Sequence, residues 1–139
     1  MSHLLIRLIY VSTLKSNIDE SEVRKIHKTA HDFNFKNSIS GIFIFGNDCF
    51  VQCLEGDREI VNRLYSKICL DGRHERIMLV SCEEISERSF SQWAMKLVML
   101  TEKTAQLVYR YSSTGDYGPY HMSAASLFKF LLALSDVEA

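Results

Sequence analysis

Apolar positions run along the chain in two rhythms, one of strands and one of helices. HLLIRLIYVS (3–12) is a continuous aliphatic run, which predicts a central strand covered on both faces. In DESEVRKIHKTAHDF (19–33), Val23, Ile26, Ala30 and Phe33 recur at helical spacing behind an acidic first turn that suits the helix dipole. GIFIFGNDCFVQCLEG (41–56) predicts a hairpin, with strands over 41–45 and 49–54 around a Gly-Asn-Asp turn. DREIVNRLYSKICLDG (57–72) places Ile60, Val61, Leu64 and Ile68 on one helical stripe and offers Gly72 as its stop. RIMLVSCEEI (76–85) and WAMKLVML (93–100) predict two further strands across a polar loop. YSSTGDYGPYH (111–121) is rich in Gly, Ser and Pro and predicts a connector. SAASLFKFLLALS (123–135) follows with a Ser N-cap and carries Leu127, Leu131 and Leu134 along an apolar face.

The first six elements have the order of a ferredoxin-like β-α-β-β-α-β unit, so the expected class is α+β, with two helices on one face of a sheet. The other face then needs cover, which the tail helix can supply. We therefore expect a sheet domain over 1–100 and a C-terminal helical extension over 101–139 packed on the sheet. The length of 139 residues suits one such domain with a substantial core. A net charge of −1 gives no general attraction to nucleic acid or anionic membrane. Neither a signal peptide nor a bilayer-spanning apolar run is visible. The four cysteines form no Cys-x-x-Cys pair, so reduced thiols in a cytoplasmic protein are expected.

Strand parity narrows the candidate chemistry. Leu4, Ile6, Leu8 and Tyr10 share one face of the first strand. Phe50, Gln52 and Leu54 share a face of the third, and Trp93, Met95 and Leu97 are expected to share a face of the last. The first and third strands are central neighbours in this topology, so a phenol and an amide could meet there. Gln52 lies between Val51 and Cys53, where an unpaired buried amide would cost roughly 1–3 kcal/mol. Its partner is either backbone or something the protein holds; Tyr10 is either an amphipathic core residue or part of a site. His27 and His31 have a metal-compatible spacing but no third ligand, which favours a solvated helix face. Cys49 and Cys53, on one face of one strand, are about 13 Å apart, too far for a disulfide or a shared metal. DGRHER (71–76) reads as a solvated turn or as a grip on a polar ligand. No nucleophile elbow or Gly-rich phosphate loop is present. The third strand lacks the alternating basic and aromatic residues of RNA-binding sheets, and acidic Glu55 stands at its end.

RLIYVS, FNFKNSISGIF, FVQCLEG, DGRHERI and SFSQWAMK occur in that order between about residues 4 and 100. Together they resemble the successive motifs of the BLUF domain, a flavin-binding sensor of blue light, and the tail resembles the helical extension of its short stand-alone members. The resemblance implies a non-covalently bound flavin, FAD with FMN as the alternative. It makes Tyr10 the photoactive tyrosine and Gln52 the switching glutamine, with Asn34 bonding the pyrimidine edge of the flavin ring. Ile26 and Ile68 would sandwich the ring, and Asp71, Arg73 and His74 would lie beside its far edge. Lys67 stands where several members carry Arg, and Ser12 fits the first-strand Tyr-x-Ser pattern. Trp93 and Met95 would report the signal, with either of them turned toward the pocket. The implied mechanism is electron and proton transfer from Tyr10, after which the Gln52 amide is left rotated or tautomerised. The protein would then be no enzyme; it would signal through a downstream protein or a homo-oligomer, without nucleic acid, membrane or metal. A small flavin reductase and a ligand-free interaction module are the competing readings, separable by the colour of the purified protein.

Overall fold

In the computed structural model, which describes residues 3–137, two residues close the central hairpin. Asn47 and Asp48 have φ of 48° and 61°, the left-handed pair that lets a two-residue turn follow the strand twist. They join β2 (Ser40–Gly46) to β3 (Cys49–Asp57). Strand β1 (Leu5–Leu14) pairs antiparallel with β3, from Leu5 opposite Asp57 to Thr13 opposite Cys49. On its other side β1 carries β4 (His74–Glu84), also antiparallel, while β5 (Lys96–Met99) runs parallel to β2. The sheet order is β4-β1-β3-β2-β5, the ferredoxin-like α+β arrangement with one strand added.

Helices α1 (Glu20–Lys36) and α2 (Arg58–Cys69) start where acidic side chains cap them. Asp19 accepts the Glu22 N–H at 3.0 Å and Asp57 accepts that of Ile60 at 3.3 Å. Two shorter helices follow, α3 (Ala105–Tyr111) and α4 (Ala124–Ser135), and the expected Ser123 cap accepts the Ser126 N–H at 3.1 Å. Helix α3 was not visible as a period, because seven residues give too little repeat. Helix α2 ends before Gly72, which lies in a turn without positive φ and so is not the stop. The expected strand over 93–100 shrinks to β5, since residues 91–95 form turns and bends.

Alternation along β1, β2 and β3 divides the apolar side chains between two cores. Ile6, Leu8, Tyr10, Phe43, Phe50 and Leu54 pack with Val23 of α1 and Val61 of α2. Ile9, Val11, Ile42, Ile44, Val51 and Cys53 face the other way, onto Leu127, Phe130, Leu131 and Leu134 of α4. A buried charge ties these layers together. Glu55, fully buried, accepts Nε of Arg7 at 2.9 Å and the backbone N–H groups of Ser89 and Phe90, fixing the loop after β4. The Arg7 guanidinium in turn lies 4.2 Å from the centre of the Phe128 ring on α4. Among the described residues no helix is long and apolar enough to cross a membrane.

Candidate functional site

Between α1, α2 and the sheet lies a largely apolar cavity of about 220 Å³. Its floor is Tyr10, Phe50 and Gln52; Ile26, Thr29, Ala30 and Phe33 wall it from α1, and Leu64, Lys67 and Ile68 from α2. Asp71, Arg73 and His74 close the end where α2 turns into β4. Eight of the residues singled out from the sequence thus line one space: Tyr10, Ile26, Gln52, Lys67, Ile68, Asp71, Arg73 and His74. Phe50 was legible from its shared face with Gln52, and Ala30 and Phe33 from the α1 stripe. Thr29 and Leu64 were not singled out, although Leu64 belonged to the α2 stripe.

Tyr10 and Gln52 are directly opposed across β1 and β3. The Tyr10 hydroxyl donates to Gln52 Oε1, and Gln52 Nε2 points at Met95 Sδ at 3.8 Å. Burial pushes the Tyr10 phenol well above its ordinary range, with nearby Tyr65, Cys69 and Asp71 adding to it. The Tyr65 ring lies 5.5 Å from that of Tyr10, and burial, then its hydrogen bond to Cys69, pushes its phenol up to about 12.

Asn34, fully buried at the end of α1, donates Nδ2 to the Ala94 carbonyl at 2.9 Å. Its Oδ1 has no partner, the one buried side-chain polar atom left so among the described residues. At the other end, His74 Nε2 bonds the Ile68 carbonyl at 2.8 Å and Nδ1 lies 2.9 Å from Ser12 Oγ. A carbonyl only accepts, so Nε2 carries a proton and, in the neutral ring, Nδ1 accepts from Ser12. Arg73 grips Asp71 through Nε at 3.0 Å and Nη2 at 2.7 Å, and this bond first of all holds the Asp71 carboxyl below its usual range. Lys67 Nζ lies 5.9 Å from the centre of the Phe33 ring, near the mouth.

Two expectations need correction. Trp93 and Met95 do not share a face: Met95 is buried beside Gln52, whereas Trp93 packs into the α4-side core with Lys96 Nζ 4.7 Å from its ring centre. The reason is the bent backbone of 91–95, to which strand parity does not apply. His27 is also no freely solvated residue, since its Nε2 lies 2.7 Å from the Met95 carbonyl. His31, one helical turn on, is exposed.

The donor set fits a flavin. Aliphatic walls from two helices suit a flat ring, Lys67 and Arg73 in the lining supply cations for a phosphate, and the orphaned acceptor of Asn34, next in sequence to the lining residue Phe33 though not itself in the lining, suits an imide N–H. The sequence profile of the BLUF family, described as sensors of blue-light using FAD, matches residues 5–96. The chain is 31% identical over 94 residues to the blue light- and temperature-regulated antirepressor BluF of Escherichia coli (strain K12), covering 68% of this chain and 23% of that relative's length. The solved structure of the BlsA photo-activated state superposes with a TM-score of 0.87 at 32% identity, covering 97% of each chain. The BlsA ground state gives the same score at 33% identity, covering 97% of this chain and 90% of the other. The dark-state structure of BlrB, a BLUF protein, gives 0.79 at 26% identity, covering 96% of this chain and 98% of the other.

Proposed function

The chain belongs to the BLUF family, sensors of blue light that use FAD, and from that premise we propose that Tyr10 and Gln52 form its light-driven hydrogen-bond switch. A flavin held in the cavity would supply absorption in the blue and, once excited, a strong one-electron oxidant. Tyr10 is the donor. Its phenol is held neutral in the dark, but a phenol that has given up an electron is strongly acidic, and its proton has one route, along the bond to Gln52 Oε1. When electron and proton return, the amide is left turned, with Nε2 toward Tyr10 and Oε1 toward Met95. The turn is inexpensive on the Met95 side, because a thioether sulfur is a weak acceptor. It nevertheless replaces a donor by an acceptor beside that sulfur, and this biases the segment from Trp93 to Met95.

Asn34 joins the two ends of this reading. Its free Oδ1 would hold the flavin edge while its Nδ2 holds the Ala94 carbonyl, so a change at the ring reaches the same segment. Ile26 and Ile68 would hold the ring between the two helices, and Asp71, Arg73, His74 and Lys67, which line the same cavity, would hold its polar groups. FAD is the cofactor we assign, with FMN distinguished by chromatography of the flavin released on denaturation. Residues 101–139 serve the sheet domain as its output extension. The protein has no catalysis of its own in this reading and signals through a downstream protein or a second copy of itself.

The observation that carries the proposal is the buried Tyr10–Gln52 bond opening onto the cavity. Purified protein should be yellow and show a reversible red shift of its absorption under blue light. Tyr10→Phe should keep the flavin and lose the shift. A colourless protein that takes up no added FAD would refute the reading, as would a Tyr10→Phe variant that cycles like its parent.

A further inference from the structure

Three successive carbonyls ahead of β5 are each held by a different donor. Gly41 N–H donates to the Trp93 carbonyl at 3.0 Å, Asn34 Nδ2 to that of Ala94 at 2.9 Å, and His27 Nε2 to that of Met95 at 2.7 Å. His27 and Asn34 are seven residues apart on α1, two helical turns along one face. The His27 ring also lies 6.4 Å from that of Phe43, which pairs directly with Gln52 across β2 and β3. A side chain expected on a solvated face for want of a third metal ligand therefore bonds one neighbour of the amide and lies beside another.

We propose that His27 is a positioning residue for the switch: its bond to the Met95 carbonyl holds the Met95 thioether beside Gln52 and so sets how long the turned amide persists. This rests on the Tyr10–Gln52 reading above. The Met95 carbonyl can only accept, so His27 donates from Nε2, and no other donor reaches that oxygen among the described contacts. In the dark arrangement, Met95 Sδ receives the Gln52 N–H. In the turned arrangement Oε1 faces the sulfur, two acceptors oppose each other, and the segment gains by moving away. His27 resists that movement. It therefore destabilises the turned state relative to the dark one and hastens the return.

His27→Leu removes the donor and keeps an apolar contact for Phe43, whereas His27→Gln keeps an N–H at similar reach. The first measurement is dark recovery of the absorption shift after a blue pulse. His27→Leu should slow recovery by roughly fivefold, the effect commanded by one ordinary hydrogen bond, and His27→Gln should recover at close to the parent rate. The second needs no photocycle. Trp93 is the only tryptophan of the chain, and its emission reports the held segment in the dark and with flavin removed. Its emission should shift to the red and its quenching by acrylamide should rise in His27→Leu, and both should revert in His27→Gln. Unchanged Trp93 emission and quenching in His27→Leu would overturn the proposal, as would His27→Gln behaving like His27→Leu. A parent protein without any light-driven shift would refute the Tyr10–Gln52 switch instead, and the Trp93 measurements would still decide whether His27 holds the segment.

Discussion

Tyr10 contributes a hydroxyl that is fully paired, buried and far from titrating, and this has a consequence for stability as well as for signalling. Its phenol is raised above the ordinary tyrosine value of 10.0 in the folded protein, so the unfolded chain ionises first. The stability tied to the neutral phenol is whole below pH 10 and is lost as pH rises above it, by up to about 1.4 kcal/mol per unit for one such group. Buried Tyr117 is displaced the same way and adds to the loss. Urea unfolding between pH 9 and 11 should show a steep decline for the parent and a shallower one for Tyr10→Phe. Equal slopes would mean that Tyr10 is not held neutral. At this scale the sequence was most legible where backbone geometry is regular. Period-two alternation allowed Tyr10 and Gln52 to meet, and the helical stripes put Ile26 and Ile68 on the apolar faces of their helices, while their place on either side of one ring came only from the family resemblance. His27 escaped because nothing local to α1 marks a side chain that reaches a carbonyl 68 positions away.

Among the elements, β5 departs furthest from expectation, and the cause lies upstream of it. The loop between β4 and β5 is not free to extend into a strand, because Glu55 binds the N–H groups of Ser89 and Phe90 while Arg88 reaches the Ser38 carbonyl at 2.7 Å and the Glu55 carbonyl at 3.0 Å. The chain is drawn down over the end of β3 and arrives at Trp93 bent. Gly41 is needed at the same crossing, since a Cβ there would sit 1.9 Å from the Cys53 carbonyl oxygen. Alternation read from WAMKLVML could not foresee a constraint imposed by a carboxylate at residue 55. Glu55→Gln, which leaves buried Arg7 with only the exposed Glu83 carboxylate at 3.5 Å as counter-charge, should cost about 3 kcal/mol in chemical denaturation. A cost below 1 kcal/mol would show that the carboxylate does not organise this loop.

Taken as a whole molecule, the sheet separates two compartments that share no side chains but share all five strands. One holds the cavity, the other the core under α4, and the bent segment carrying Met95 and Trp93 has one residue in each. In the proposed switch this is the route by which a change at Gln52 would reach α4, and the same partition explains why the architecture was legible before the site was. Strand order and the tail's apolar stripe demand two cores, whereas the crossing between them depends on one irregular bend. A largely apolar cavity, with the unpartnered Asn34 oxygen on the helix that walls it, should also leave the protein less stable without its ligand. Free flavin at a hundred times its dissociation constant should stabilise the apoprotein by about 2.7 kcal/mol, read as a rise in melting temperature. An unchanged melting temperature would argue that the cavity takes no flavin.

If Gln52 is the proposed switch, the same burial determines how quiet the sensor is. A detector is limited by its dark counts, the events it registers with nothing to detect. Here a false event means the Gln52 amide turning by thermal motion alone. That turn breaks the Tyr10 bond where Tyr10 and Gln52 are only 2% and 3% exposed, and with a flavin filling the cavity they floor, no water would be at hand to replace it midway. Sealing the pair between the sheet and a ring in the cavity would thus lower the noise floor, leaving a photon as the event with energy enough to be counted.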